Sequence, residues 1–411
     1  MLNEYAIAVL VALLGEYALG VLADVLNLRN LSSELPPELR ERLDPAAYRR
    51  SQQYTRARTR LGLVSSTVSL AALLIFWFAG GFAELDRLVR GLGLGPVWTG
   101  LAFLGALALL VGLLGLPFAV VSTFVVEERF GFNRTTPATF VLDRLKAVLL
   151  AVVLGGPLLA AVLWLLQTAG PYGWLYGWAV VTAFILLVQL VAPSWIMPLF
   201  NRFAPLDDPA LKDAIMAYAR SVEFPLSQVF VMDGSKRSSK ANAFFTGLGK
   251  RRRVALFDTL IDKHPTEEVV AVLAHEVGHY RKGHVTRSLV IAIAHAGVMF
   301  ALLSLVLELH GLYAAFGLAE PSVYAGLVLF GLLYTPAEVA LALLLNALSR
   351  RQERQADRFA ARTTGSGEAL ARALERLAAD SLSNLTPHRL YVTLHHAHPP
   401  VLERIRALRA R

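Results

Sequence analysis

The chain of 411 residues has no cysteine, and only 17% of its residues are charged. Without thiols there is no disulfide framework, no cysteine nucleophile, no zinc finger or ribbon, and no prenylation of the chain's own C-terminus. A metal site, if there is one, must be built from His, Asp and Glu. The charge content lies well below the roughly 25% of an ordinary soluble domain. The missing charges are missing in blocks, because residues 61–83, 91–126 and 147–201 contain no Asp, Glu, Lys or Arg. A membrane-spanning helix takes about 20 apolar residues, so the longest block can hold two spans and each of the others one. The first apolar stretch has no basic lead-in and carries Glu16, so it reads as a retained span and not as a cleaved signal peptide. No internal repeat is evident, which disfavours the inverted-repeat plan of many transporters.

The reading is therefore an all-α polytopic membrane protein with about seven transmembrane helices, expected near 5–23, 61–83, 98–125, 147–167, 174–196, 288–307 and 322–346. The basic residues support the count. The hydrophilic segments fall into two alternating sets, one holding 38 of the 40 Lys and Arg and the other 2. Positive charge is retained on the cytoplasmic side, so the N-terminus is expected outside and the C-terminus in the cytoplasm. The net charge of +9 has the same cause, and no nucleic-acid partner is expected. Four regions follow: spans one to five in 1–197, a cytoplasmic segment 198–287, spans six and seven in 288–346, and a cytoplasmic tail 347–411. In the second region Gln228–Asp233 and Arg253–Asp258 read as the strands of a small β-hairpin around a turn-rich stretch with Gly234, Gly247 and Gly249.

The strongest chemical signal is His275-Glu276-Val277-Gly278-His279, inside a helix expected over Pro265–Gly283 and capped by Thr266 or a neighbour. Residues four apart share a helix face, so two imidazoles can bind one Zn²⁺ while the intervening Glu276 serves as general base. A catalytic zinc site takes a third protein ligand and keeps one position open. Glu353 is the candidate, with Asp357 one turn later able to orient a ligating histidine. The same two carboxylates also suit a charged helix that balances Arg350, Arg351, Arg354 and Arg358. Near the C-terminus, His398 before Pro399 and Pro400 could stabilise an oxyanion at this site, and equally could mark a helix start. Asn242 lies in an extended stretch able to hold a peptide as an added strand, or in an ordinary hairpin whose basic run Lys250–Arg253 meets anionic headgroups. His264, His284, His310 and His388 are read as surface residues. His295, Glu16, Glu338 and Asn346 fall within spans and are expected to face the bundle interior.

Taken together, these motifs resemble the type I CAAX prenyl endopeptidases, integral-membrane zinc metalloproteases. The likeness includes Glu127-Glu128-Arg129-Phe130-Gly131-Phe132-Asn133, Met197-Pro198-Leu199-Phe200-Asn201, Ser235-Lys236-Arg237-Ser238-Ser239, Asn242-Ala243, Leu256-Phe257-Asp258-Thr259-Leu260, the Glu353/Asp357 segment, and His398-Pro399-Pro400 with Glu403-Arg404. The resemblance implies a ring of seven helices around a water-filled chamber with a cytoplasmic gluzincin-like protease domain. It implies one Zn²⁺ per chain on His275, His279 and Glu353, catalysis by Glu276 supported by Asp357 and His398, and substrate contacts at Asn242, Ala243 and Arg404. The implied partners are a lipidated or other membrane-associated peptide and the lipids themselves. The chain ends in Ala-Leu-Arg-Ala-Arg with no endoplasmic-reticulum retention signal. Its composition looks bacterial, so the substrate could also be an unprenylated peptide or a damaged membrane protein. A smaller stress protease of the HtpX kind, and a seven-helix transporter or receptor with a structural metal, are the other two readings.

Overall fold

The computed structural model describes residues 3–32, 34–35, 44–246 and 252–410. Seven helices are long and apolar enough to cross a membrane: α1 (Glu4–Arg29), α2 (Pro45–Phe78), α4 (Pro96–Glu127), α5 (Pro137–Thr168), α6 (Gly170–Phe200), α10 (His284–Val306) and α12 (Val323–Thr363), with α3 (Gly81–Gly91) lying between the second and third. Their outward faces carry the apolar residues that a soluble fold would bury. Leu109, Val111, Leu149 and Val290 all leave well over half their surface exposed, as a face against lipid requires.

The spans are held by an apolar core that includes Val9, Trp77, Phe103, Leu163, Phe316 and Leu329. Trp77 stacks on Phe316 at a centroid distance of 4.2 Å, and its indole N–H donates to the Ala315 carbonyl at 3.0 Å. The polar residues within spans have the partners a membrane interior demands. His295 and Tyr334 meet at 3.3 Å between α10 and α12, with Glu338 3.6 Å from the same ring. Asn346 donates to the Leu394 carbonyl at 2.8 Å. Glu16 faces a cavity of about 1250 Å³ inside the helices, which is also lined by Asp24, Arg58, Lys240, His396 and His398.

The second core joins a small sheet to the hydrophilic helices. The sheet has four strands, β1 (Phe203–Pro205), β2 (Leu226–Met232), β3 (Ala243–Thr246) and β4 (Arg252–Phe257), in the order β1-β2-β4-β3. This corrects one expectation. The two predicted strands are neighbours, but they run parallel, with Val229 opposite Val254. The antiparallel hairpin is instead β3 with β4, with Ala243 opposite Leu256. The long connection between β2 and β4 permits the crossover that a parallel pair needs, and β3 is folded out of that connection. Gly247, Gly249, Lys250 and Arg251 lie outside the described residues. Around the sheet's apolar core pack α7 (Pro209–Ser221), α8 (Asp258–Lys263), α9 (Thr266–Arg281), α13 (Glu368–Asp380) and α15 (Val401–Arg409); α14 (Arg389–His395) lies against α1 and α12, and the short α11 (His310–Ala315) joins the core of the spans.

Arg237 locks this layer to the spans. Its guanidinium grips Asp143 of α5 with two bonds of 2.7 and 2.9 Å. It also donates to Asn201 Oδ1 and the Phe200 carbonyl, both at 2.7 Å. A planar fork satisfied by α5 and by the end of α6 fixes their orientation against its own loop in a way a lysine could not.

Candidate metal centre

The helix α9 runs from Thr266 to Arg281, close to the expected bounds, but Pro265 stands at its N-cap and no side chain caps it. It ends where Gly283 takes a left-handed φ of 67°, the usual C-terminal stop. One face of α9, with Val269, Leu273 and Val277, enters the apolar core under the sheet. The other carries His275 and His279 toward α12. The two helices come close because Gly278 has no side chain: a Cβ there would stand 3.0 Å from Ala356 Cα and 3.2 Å from Phe359 Cβ. That contact sits between Glu353 and Asp357 along α12 and brings both carboxylates to the histidines.

His275, His279 and Glu353 each offer one ligand atom, all within 4.8 Å of one another. The two Nε2 atoms are 3.2 Å apart. His279 Nε2 is 3.1 Å from Glu353 Oε1 and His275 Nε2 is 3.4 Å from Oε2. The Oε2 atom is buried without a well-formed hydrogen bond, although His398 Nδ1 approaches it to 2.9 Å. Behind His275, Asp357 Oδ1 takes the ring Nδ1 at 2.8 Å, leaving Nε2 as a lone pair. Lone pairs converging on one buried point with an orphaned carboxylate oxygen need a cation, and a metal ion fits the donor set. The electrostatics agree. Burial opposes charge on His275, yet hydrogen bonds to the Asp357 and Glu353 carboxylates outweigh it and raise its pKa to about 9. The carboxylate frame therefore favours positive charge at this point. Burial also pushes the Glu276 carboxyl above its ordinary range, against the pull of His275 and His279.

The predicted residues assemble unevenly. His275, Glu276, His279, Glu353, Asp357 and His398 come together, and a cleft of about 590 Å³ is lined by Glu276, His279, Glu353 and His398. His398 lines this cleft and the large interior cavity alike. The helix-start reading of its motif holds, since α15 starts directly after Pro400. Arg404 was expected at the substrate, but it is 9% exposed. It clasps Asp357 with bonds of 2.9 and 2.6 Å and lies 3.4 Å from Glu353 Oε2. Its guanidinium is occupied on the far side of the centre and braces the carboxylate that holds His275. Asn242 is exposed at the head of β3. Its Oδ1 accepts from the Ala243 N–H, and among the described hydrogen bonds none joins Asn242 or Ala243 to the metal cluster.

Three histidines read as surface residues prove otherwise. His264 is buried and bonded to Glu268 at 2.8 Å, a pairing that its i, i+4 spacing could have suggested. His388 is half-buried and caps α14 by accepting from the Leu390 N–H. His284 is 2% exposed and touches His279. Its signal was the preceding Gly283, which turns the chain back on itself. Reasoning from sequence also missed Arg350, which donates to the Val392 and His396 carbonyls at 3.2 and 2.7 Å. It thereby ties the segment leading to His398 to the helix that carries Glu353.

Comparison with known proteins gives a coherent result. Residues 24–202 match the family described as CAAX prenyl protease N-terminal, five membrane helices, and residues 205–411 match peptidase family M48. CAAX prenyl protease 1 of Saccharomyces cerevisiae is 35% identical over 92% of this chain and 88% of its own length. The Arabidopsis thaliana homolog is 36% identical over 93% of each, and the Homo sapiens homolog 31% over 92% and 89%. The crystal structure of S. mikatae Ste24p superposes with a TM-score of 0.92 at 33% identity, covering 99% of both chains.

Proposed function

Because this chain belongs to the CAAX prenyl protease family of M48 metallopeptidases and is a multi-pass membrane protein, we propose that it is a zinc endopeptidase acting on the C-terminal region of prenylated, CAAX-type peptides. Zinc is the metal that best suits a two-histidine, one-carboxylate set with an open position. The observation that carries the substrate reading is His398, which stands where the metal cleft meets the interior cavity. A peptide lying in that cavity has its scissile bond within reach of the cleft.

The bound metal supplies positive charge that polarises the scissile carbonyl and makes water more acidic. The chain's own residues do the rest. Glu276 accepts a proton from the attacking water at its carboxylate and delivers it to the leaving amide nitrogen, and partial burial of the carboxyl makes it a stronger base for this. Asp357 holds His275 by its Nδ1 proton, and Arg404 holds Asp357. His398 meets Glu353 through Nδ1 and, when both ring nitrogens carry a proton, donates from Nε2 to the carbonyl oxygen as charge develops there, a role commonly worth a few kcal/mol. Asn242 and Ala243 open β3, an edge strand that lies against α9; there a peptide can add as one more strand. The Lys/Arg distribution supports an outside N-terminus and a cytoplasmic metal centre.

An apolar prenyl chain gains about 0.8 kcal/mol per buried CH₂, so apolar helix faces favour lipidated peptides without a dedicated contact. Cleavage of matched farnesylated and unmodified peptides tests this, with Glu276→Gln and a chelator as controls. Both peptides should be cut, the farnesylated one faster. Cleavage of neither by zinc-loaded protein removes the prenyl-protease reading and leaves hydrolysis of damaged membrane proteins in front.

A further inference from the structure

Both histidine ligands need a proton on the nitrogen facing away from the centre and a lone pair on Nε2. Asp357 arranges this for His275. Among the described residues no carboxylate stands behind His279. Its Nδ1 meets His284 Nδ1 at 3.1 Å, and two imidazole nitrogens can bond only when one carries the proton and the other does not. The far nitrogen of His284, Nε2, lies 3.0 Å from Gln355 Oε1, an atom that can only accept.

We infer that Gln355 and His284 form a tautomer relay that prepares His279 as a ligand. The Gln355 carbonyl oxygen holds the His284 proton on Nε2. His284 Nδ1 is then an acceptor and holds the His279 proton on Nδ1. That leaves His279 Nε2 bare, facing Glu353 Oε1 at 3.1 Å. The reversed relay needs the Gln355 amide to donate; it puts a proton on His279 Nε2 and blocks ligation there. The fold holds the parts in place. His284 is the first residue of α10, directly after the left-handed Gly283, and is almost fully buried. Gln355 lies two residues beyond Glu353 on α12, so one helix supplies a ligand and also sets the proton on another. His284 and Gln355 are positioning residues. The inference rests on the metal-centre reading above.

The test measures zinc affinity by chelator competition, with thermal melting in excess chelator as the folding control. Gln355→Leu removes the acceptor and keeps the bulk, so zinc affinity should fall about 10-fold. His284→Phe keeps a buried ring without nitrogens, and a loss of about 10–100-fold is expected, the usual range for partners of metal ligands. Gln355→Glu restores an acceptor and should stay within about threefold of wild type. A purely packing role, or a simple charge effect at Gln355, leaves Gln355→Leu at wild-type affinity. Wild-type zinc binding by Gln355→Leu with an unchanged melt overturns the relay, whether or not His284→Phe folds. A wild-type chain that binds no zinc brings down the metal reading and the relay with it.

Discussion

Replacing Gly278 with alanine sets helix stability against site geometry. In a helix interior alanine is favoured over glycine by about 1 kcal/mol. Here, however, the new Cβ meets Ala356 Cα at 3.0 Å, Ala356 O at 3.2 Å and Phe359 Cβ at 3.2 Å. Carbon atoms at rest sit about 3.5–4.0 Å apart, so α9 and α12 must separate by about 0.5 Å. Overpacking of this kind costs about 1–3 kcal/mol. The two terms largely offset, and the melt measured in excess chelator should fall by only a few degrees. The metal centre has no such compensation. His275 and His279 flank position 278 on one helix and Glu353 stands three residues before Ala356 on the other, while metal–ligand distances tolerate about 0.2 Å. Zinc affinity should therefore drop at least 10-fold. Chelator competition and thermal melting on the same preparations measure both quantities. Wild-type zinc affinity in Gly278→Ala would falsify the claim that this glycine sets the ligand spacing.

Glu276→Gln should keep stoichiometric zinc and lose about 10²–10⁴-fold in turnover; undiminished turnover excludes the general-base role. Glu353→Ala combined with His279→Ala should abolish zinc binding, and full occupancy by metal analysis refutes the ligand set. Arg350→Ala frees the Val392 and His396 carbonyls that orient the approach to His398. It should lower kcat about 10-fold with zinc affinity kept, an oxyanion-donor effect at the modest end, and Arg350→Lys should recover part of the loss. Equal losses in kcat and zinc affinity contradict that assignment. A reporter at Gly311 should face the side of the membrane opposite to reporters at Asp233 and at Ala410, and a shared side breaks the seven-span topology.

Much of this was legible because lipid and metal both impose coarse spacing rules. Long apolar blocks almost without charge can hardly be anything but spans, and histidines four apart on a helix face one point. Glu353 was a weaker signal. A glutamate among four arginines looks like surface, and only the contact through Gly278, which links segments far apart in sequence, brings it to the two histidines. The strand directions were misread because a parallel pair depends on the path of its connection, which hydrophobic alternation does not record. His284 and His264 were misread because single polar residues carry no periodicity; their burial follows from a left-handed glycine and from an i, i+4 partner. Arg404 failed in the opposite way. Its place in a motif suggested substrate, but the fold turns its fork inward to a carboxylate.

The donors come from two helices that pack together. Glu353 rides on α12, an unbroken 41-residue helix about 60 Å long, whose first turns, at Tyr324 and Leu329, are embedded in the core of the spans. His275 and His279 belong to the helix packed on the sheet. An ion held between them is a rivet as well as a reagent. At a thousandfold excess over its dissociation constant it contributes about 4 kcal/mol, stability stored in the joint between the bilayer-bound rod and the hydrophilic layer.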